Sequence, residues 1–137
     1  AREAAAIDRA RRHQEATPEF AAEYLPHPHF PLDRRHGIEI TLEGPQALDE
    51  VEFSFPVQRH DDLRPTAFVD GDTRAQAARV DGPIPVGTSW LIWLTFDEAS
   101  PHGDVRLLAT CRLGDDEWSV LTYFHVSPTP QQPRRIR

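Results

Sequence analysis

Apolar side chains recur at nearly every second position through most of the last third of the chain. Three runs show this period of two: residues 90–96, 105–113 and 118–126. Successive side chains of a β-strand point to opposite faces of its sheet, so each run predicts a strand with one buried face. Gly114-Asp115-Asp116, between the last two runs, is typical of a short hairpin loop. The C-terminal third is therefore restricted to antiparallel β-structure.

Shorter alternating runs occur upstream at 20–25, 38–42 and 51–55, separated by Gly and Pro residues. Thr66 to Val69 is a candidate seventh strand. About seven strands in hairpin order predict a mainly β protein of two packed antiparallel sheets. We expect an immunoglobulin-like β-sandwich, with a jelly roll or an open barrel as the alternative. This expectation concerns architecture alone, because the two cysteines of the immunoglobulin signature are absent.

Residues 57–87 have the least regular pattern. Asp72 is a suitable N-cap, so we expect a helical turn from there through Ala78. Gly82-Pro83 and Pro85 are expected to interrupt regular structure after that turn.

The first sixteen residues contain strong helix formers and neither Gly nor Pro, and they predict the end of a helical stalk. Thr17-Pro18 ends this helix, because the residue before a proline avoids the α region. The predicted organisation is a helix over 1–16, a β-sandwich domain over 17–127 and a disordered Pro/Arg-rich tail over 128–137.

Composition excludes several classes of protein. The net charge is −7 over 137 residues, which disfavours nucleic-acid binding because that affinity comes from clustered cations. Cys111 is the only cysteine, so an intrachain disulfide cannot form. No run approaches the ~20 apolar residues of a membrane span. We expect a cytoplasmic domain, with a membrane tether upstream of Ala1 as an option.

The run from Arg11 to Phe20, RRHQEATPEF, resembles the junction in a group of uncharacterised proteins from high-GC bacteria. These proteins carry an N-terminal helix, sometimes behind a membrane span, and then a β-rich domain. The run from Ile38 to Pro45, followed by Leu48 and Val51, is similar to the next part of their pattern. The resemblance covers residues 1–55 and implies architecture, but no activity.

Histidines in two loops allow an enzymatic alternative. His27, His29 and His60 could hold Zn²⁺ with a position left open for water, as in a metal-assisted hydrolase. Metal ligands need a rigid scaffold, however, and His-Pro-His lies in an extended loop. Surface histidines are the simpler interpretation, so we expect no metal and no other cofactor.

The outward side of the last three strands is unusually apolar. If these strands share one face, alternation places five large apolar groups on it, with Arg106 and Arg112 as a polar rim. The five are Leu91, Trp93, Leu108, Leu121 and Tyr123. Soluble monomers rarely leave such a patch bare, so it needs a cover. Three alternatives could cover it. The cover could be internal, supplied by residues 57–87 or by the helix; it could be a protein partner or a second copy of the chain; or it could be a small ligand.

These observations predict a non-catalytic protein-interaction or structural module displayed by a helical stalk. The competing prediction is the hydrolase that uses His27, His29 and His60.

Overall fold

The computed structural model describes residues 2–25, 35–57, 62–98 and 101–127. It contains one helix, α1 (Arg2–Glu15), followed by nine strands. The strands are β1 (Glu19–Leu25), β2 (Arg35–Gly44), β3 (Leu48–Ser54), β4 (Pro65–Asp70), β5 (Thr73–Ala75), β6 (Ala77–Ile84), β7 (Ser89–Phe96), β8 (Gly103–Leu113) and β9 (Asp116–Val126). Within those ranges no helix is both long and apolar enough to span a bilayer.

The strands form two antiparallel sheets that pack as a β-sandwich, which confirms the predicted fold class. One sheet has five strands in the order β1-β2-β7-β4-β5, and the other has four in the order β6-β3-β8-β9. The inward residues of the central strands are almost completely buried, among them Ile40, Phe53, Leu94 and Leu107. Because each sheet can bury only one face against the other, the period of two in the sequence marks these inward positions.

Helix α1 projects from this body. Its described side chains are exposed or half-buried along its whole length, and Ile7 is 69% exposed. Asp8 forms ion pairs with Arg11 and Arg12 one turn later, a spacing that stabilises isolated helices modestly. Only the C-terminal end of the helix makes a described contact with the sandwich, through His13.

The stretch 57–87 differs from its prediction. Thr66 to Val69 is a strand, as expected, but the residues after Asp72 form β5 and β6 instead of a helical turn. Strand β6 also continues through Gly82-Pro83, where an interruption was expected. Pairing with β3 overrides the helix propensity of the alanines, and Pro83 is tolerated because β6 is an edge strand. The described residues therefore contain nine strands and not about seven.

Candidate interaction surfaces

The structure separates the seven residues predicted to form one interaction face. Leu91 and Trp93 lie on β7, which pairs with β2 and β4 in the five-stranded sheet. Leu108, Leu121 and Tyr123 lie on β8 and β9 of the four-stranded sheet. The prediction of a single face was wrong, because alternation shows which side of a strand is buried but not which strand lies beside it. The chain crosses from one sheet to the other between β7 and β8.

The outer face of the four-stranded sheet retains an apolar centre. Leu108 stands directly opposite Leu121, and Tyr123 stands opposite Arg106 on the neighbouring strand. Tyr123 is 58% exposed and Leu121 is 38% exposed, while Leu108 is half-buried. Directly opposite side chains in an antiparallel pair are close enough to contact one another. We name Leu108, Leu121 and Tyr123 the Tyr123 face.

Arg106 lies beside this face but is held inside the structure. Its Nε donates to Asp62 Oδ2 at 2.9 Å, and its Nη2 donates to the main-chain oxygen of Val57 at 2.7 Å. The side chains of Arg106 and Asp62 are only 11% and 12% exposed. The guanidinium therefore fixes the segment before β4 against β8, and this position differs from the solvated rim predicted for it.

Arg112 does lie on a charged border of the same outer face. Its Nε is 3.0 Å from Glu117 Oε1, and its Nη1 is 3.7 Å from Glu50. Glu50 also contacts Arg79, which lies 3.0 Å from Asp81 on its own strand. The negative charge of Glu50, and then that of Asp81, raises the pKa of Arg79 above its ordinary value. The pairs Arg112–Glu117 and Arg79–Asp81 are exposed and add little to stability, and with Glu50 they fix the charge pattern of the border.

A hydrogen-bonded pair of His and Asp borders the opposite end of the Tyr123 face. His125 on β9 stands opposite Asp104 on β8, with its Nδ1 2.8 Å from Asp104 Oδ1. Sequence reasoning did not select Glu117 or His125, although the alternation that selected Leu121 and Tyr123 also places these two residues outward.

Leu91 and Trp93 border a separate groove at the side of the sandwich. The groove has a volume of about 490 Å³ and is lined by β7, the β4–β5 hairpin and β6. Leu91 is 44% exposed and Trp93 is half-buried. Trp90 also lines the groove, and its buried Nε1 has no hydrogen-bond partner among the described residues. Asp70 and Arg79 supply charges of both signs to the lining.

The predicted alternative metal ligands, His27, His29 and His60, lie outside the described residues. Within the described ranges, no group of three or more His, Cys, Asp or Glu residues is placed to hold a metal ion. Cys111 is fully buried in the core, and this burial raises the pKa of its thiol to about 12. It is a small apolar core residue and not a nucleophile at neutral pH.

Comparison with known proteins yields no relative: no family model, no curated protein and no solved structure matches the chain. The two surfaces therefore have to be interpreted from their own geometry.

Proposed function

We propose that this domain is a non-catalytic protein-interaction module that binds through the Tyr123 face. The observation that carries the proposal is the exposure of Tyr123 and Leu121 in the middle of the edge strand β9, beside Leu108 on β8, with charged residues toward both ends of these strands. Tyrosine supplies a large contact area at a low entropic cost, and it is enriched at protein interfaces. An apolar centre with a polar border is the usual anatomy of such an interface.

The shape of the surface favours a protein over a small molecule. The Tyr123 face lies on the outer surface of a regular antiparallel sheet, whereas small-molecule sites are concave and enclose most of their ligand. The net charge of −7 also makes a nucleic acid an unfavourable partner.

The solvent exposure of helix α1 supports its predicted role as a stalk. Its side chains remain largely in solvent, and its described contacts with the sandwich occur only at its C-terminal end. A helix of 14 residues is near the shortest length that is stable alone in water. We therefore propose that the helix holds the sandwich away from whatever the helix itself is attached to.

The order of seven strands supports the immunoglobulin-like topology as a further part of this proposal. Strands β1-β2-β7-β4 and β3-β8-β9 follow the orders A-B-E-D and C-F-G of constant-type immunoglobulin domains. Strands β5 and β6 then form an insertion between the positions of D and E. Sandwiches of this type often serve as interaction domains, but fold alone does not assign function.

Site-specific photo-cross-linking tests the proposed face. Tyr123 is replaced by p-benzoylphenylalanine in the full-length protein, and cells that produce it are irradiated. We expect a discrete covalent adduct with a protein. The matched control carries the same group at Val86, which is 47% exposed in the turn before β7, and should give no such adduct.

Replacement of Tyr123 by Glu completes the test. Tyr123 is largely exposed, so Tyr123→Glu should leave the thermal unfolding midpoint unchanged and should remove complexes that survive Val86→Glu. Equal labelling at positions 123 and 86 would overturn the proposal, as would a complex that persists in Tyr123→Glu.

A further inference from the structure

Strand β9 is the last strand of its sheet, and its outer edge is long. The strand has 11 residues, and in the described part of the chain its backbone pairs only with β8. Strand β1 of the other sheet packs beside it but does not join its ladder. An unpaired edge of this length offers a row of N–H and C=O groups to another chain.

Two of the usual protections of a sheet edge are missing from β9, which contains neither Pro nor Gly between Asp116 and Val126. The edge strand at the opposite end of the same sheet, β6, carries Pro83 and Gly82 together with the charged residues Arg79 and Asp81. Natural sheets use such residues to prevent edge-to-edge association. The edge at β6 is therefore interrupted by Gly82 and Pro83, whereas β9 carries its acidic residues, Asp116 and Glu117, only at its start.

The hairpin before β9 determines which backbone groups face this edge. Leu113 pairs with Asp116 across a two-residue turn in which Gly114 has a φ of +60°, so these two residues form the first hydrogen-bonded pair. Hydrogen-bonded and non-hydrogen-bonded pairs alternate along an antiparallel ladder. The inward residues of β9 thus bond to β8, and the outward residues direct their N–H and C=O groups to the free edge. The outward residues are Glu117, Ser119, Leu121, Tyr123 and His125.

We propose that a second copy of this chain pairs with β9 along this edge, antiparallel, with Leu121 opposite Leu121 of the second copy. The inference goes beyond the proposed function: the second copy uses the edge of β9, on which Leu121 and Tyr123 lie, and it leaves the outer surface of the Tyr123 face free for another partner. This register uses all 11 residues of the strand. The two four-stranded sheets then form one continuous sheet of eight strands.

The charged side chains fit this register when His125 is in the protonated form that makes an ion pair with Asp104. With Leu121 at the two-fold axis, Glu117 stands opposite His125 of the second copy. Glu117 already pairs with Arg112, and His125 already pairs with Asp104. Across the four strands β8-β9-β9-β8 the side chains therefore follow the order Arg, Glu, His, Asp, with alternating sign when His125 is protonated. Because of the two-fold symmetry, one such row of four side chains lies at each end of the paired strands.

The apolar residues match in the same register. The central row contains four leucines, since Leu108 stands opposite Leu121 in each copy. Tyr123 stands opposite Ser119 of the second copy, which leaves room for the ring. A slip of two residues in one direction places Tyr123 opposite Glu117, and a slip in the other direction moves Glu117 away from His125. Both slips also shorten the ladder.

A proline at the edge tests the pairing without altering the Tyr123 face. Ser119→Pro removes an N–H that points to the free edge and makes no bond to β8, while Ser119→Ala is the matched control. By sedimentation velocity we expect a dimer for the wild type and for Ser119→Ala. Ser119→Pro should be a monomer whose far-ultraviolet circular dichroism is that of the wild type.

Cysteine cross-linking tests the register. Leu121→Cys places two thiols at the two-fold axis, where opposite Cα atoms are about 5.5 Å apart. Ser119→Cys is the control, because positions 119 of the two copies would lie four residues apart along the strand, or about 14 Å. Cys111 is buried and does not interfere. A short bismaleimide should link Leu121→Cys quantitatively and Ser119→Cys poorly.

The outcomes separate this inference from the proposed function. A wild-type monomer that gives a photo-adduct at position 123 with a different protein overturns the second copy and leaves the interaction module in place. No adduct at position 123 overturns the proposed function. A dimer that persists in Ser119→Pro and fails to cross-link through Leu121→Cys overturns the edge pairing. An adduct of twice the chain mass, lost in Ser119→Pro, supports both.

Discussion

Trp118 Nε1 donates a hydrogen bond of 2.9 Å to the main-chain oxygen of His13, and the two rings stack with centroids 4.7 Å apart. The last carbonyl groups of a helix have no partner within the helix. Here Trp118, which is 5% exposed, supplies one for the last turn of α1. Ala16 and Thr17 donate to Arg12 and Gln14 in the same turn. The indole therefore anchors the helix to the sandwich.

Trp118→Phe should lower the free energy of unfolding by about 1 kcal/mol more than Trp90→Phe does. Both substitutions shorten a largely enclosed indole to a phenyl ring, but Trp90 Nε1 has no hydrogen-bond partner in the described ranges. Only Trp118→Phe therefore removes a hydrogen bond. Urea denaturation of the two variants measures the difference, and equal losses would show that the bond to His13 does not anchor the helix.

Arg106→Met should destabilise the protein by about 3 kcal/mol, whereas Arg112→Met should cost less than about 1 kcal/mol. The first change leaves the carboxylate of Asp62, only 12% exposed, without the guanidinium 2.9 Å away. The second removes a surface arginine that is 56% exposed. Guanidinium chloride denaturation of both variants compares them, and similar midpoints would contradict the structural role of Arg106.

Much of this fold was predictable because the core follows a period of two. Ile38 and Ile40, Phe53, Leu107 and Phe124 all point inward as their alternation indicates. Trp118 was also placed inward, but nothing in the sequence indicated that its nitrogen would bond to His13. The two residues are 105 positions apart, and local patterns carry no information about such a pairing.

The predicted interaction face failed for the same physical reason. Alternation placed Trp93 and Tyr123 outward, yet their strands belong to different sheets. The hairpin between β8 and β9 is a local contact and was predicted correctly from Gly114. The pairing of β7 with β2 and β4 is non-local, since it joins Trp93 to Gly37 and Val69. Of the five apolar residues, only Leu108, Leu121 and Tyr123 therefore remain together on the four-stranded sheet.

Gly82→Ala should destabilise the sandwich by about 1 to 3 kcal/mol through overpacking. A Cβ at Gly82 would overlap the main-chain oxygen of Asp49 and would lie 2.8 Å from that of Leu48. The β3–β6 register is irregular at this point, so the backbone must move to make room. The Asp49 side chain accepts a hydrogen bond from the Gly114 N–H, so the shift should also reach the β8–β9 turn.

The control for Gly82→Ala is Gly71→Ala, which has a positive φ of 60° but nothing within 4 Å of the new Cβ. It should cost about 1 kcal/mol from backbone strain alone. Thermal unfolding followed by circular dichroism compares the two. A Gly82→Ala variant as stable as Gly71→Ala would show that the close approach at Asp49 relaxes without cost.

The Cys111 thiol should make the protein less stable as the solution becomes alkaline. Burial raises its pKa to about 12 in the folded chain, whereas an unfolded thiol has a pKa of about 8.5. Its contribution to stability is complete below the unfolded value and is lost as the pH rises toward the folded value, because only the unfolded chain releases the proton. The stability difference between wild type and Cys111→Ala should fall by about 1 to 2 kcal/mol between pH 7 and pH 10.

Urea denaturation of wild type and Cys111→Ala across that pH range measures this fall, since ionisation of other groups affects both proteins equally. Iodoacetamide supplies an independent readout. At pH 8 it should label the wild type only after unfolding, because the folded thiol is both fully buried and neutral. Rapid labelling of the folded protein, or a stability difference that does not change with pH, would place Cys111 outside the core and would contradict the inward alternation of β8.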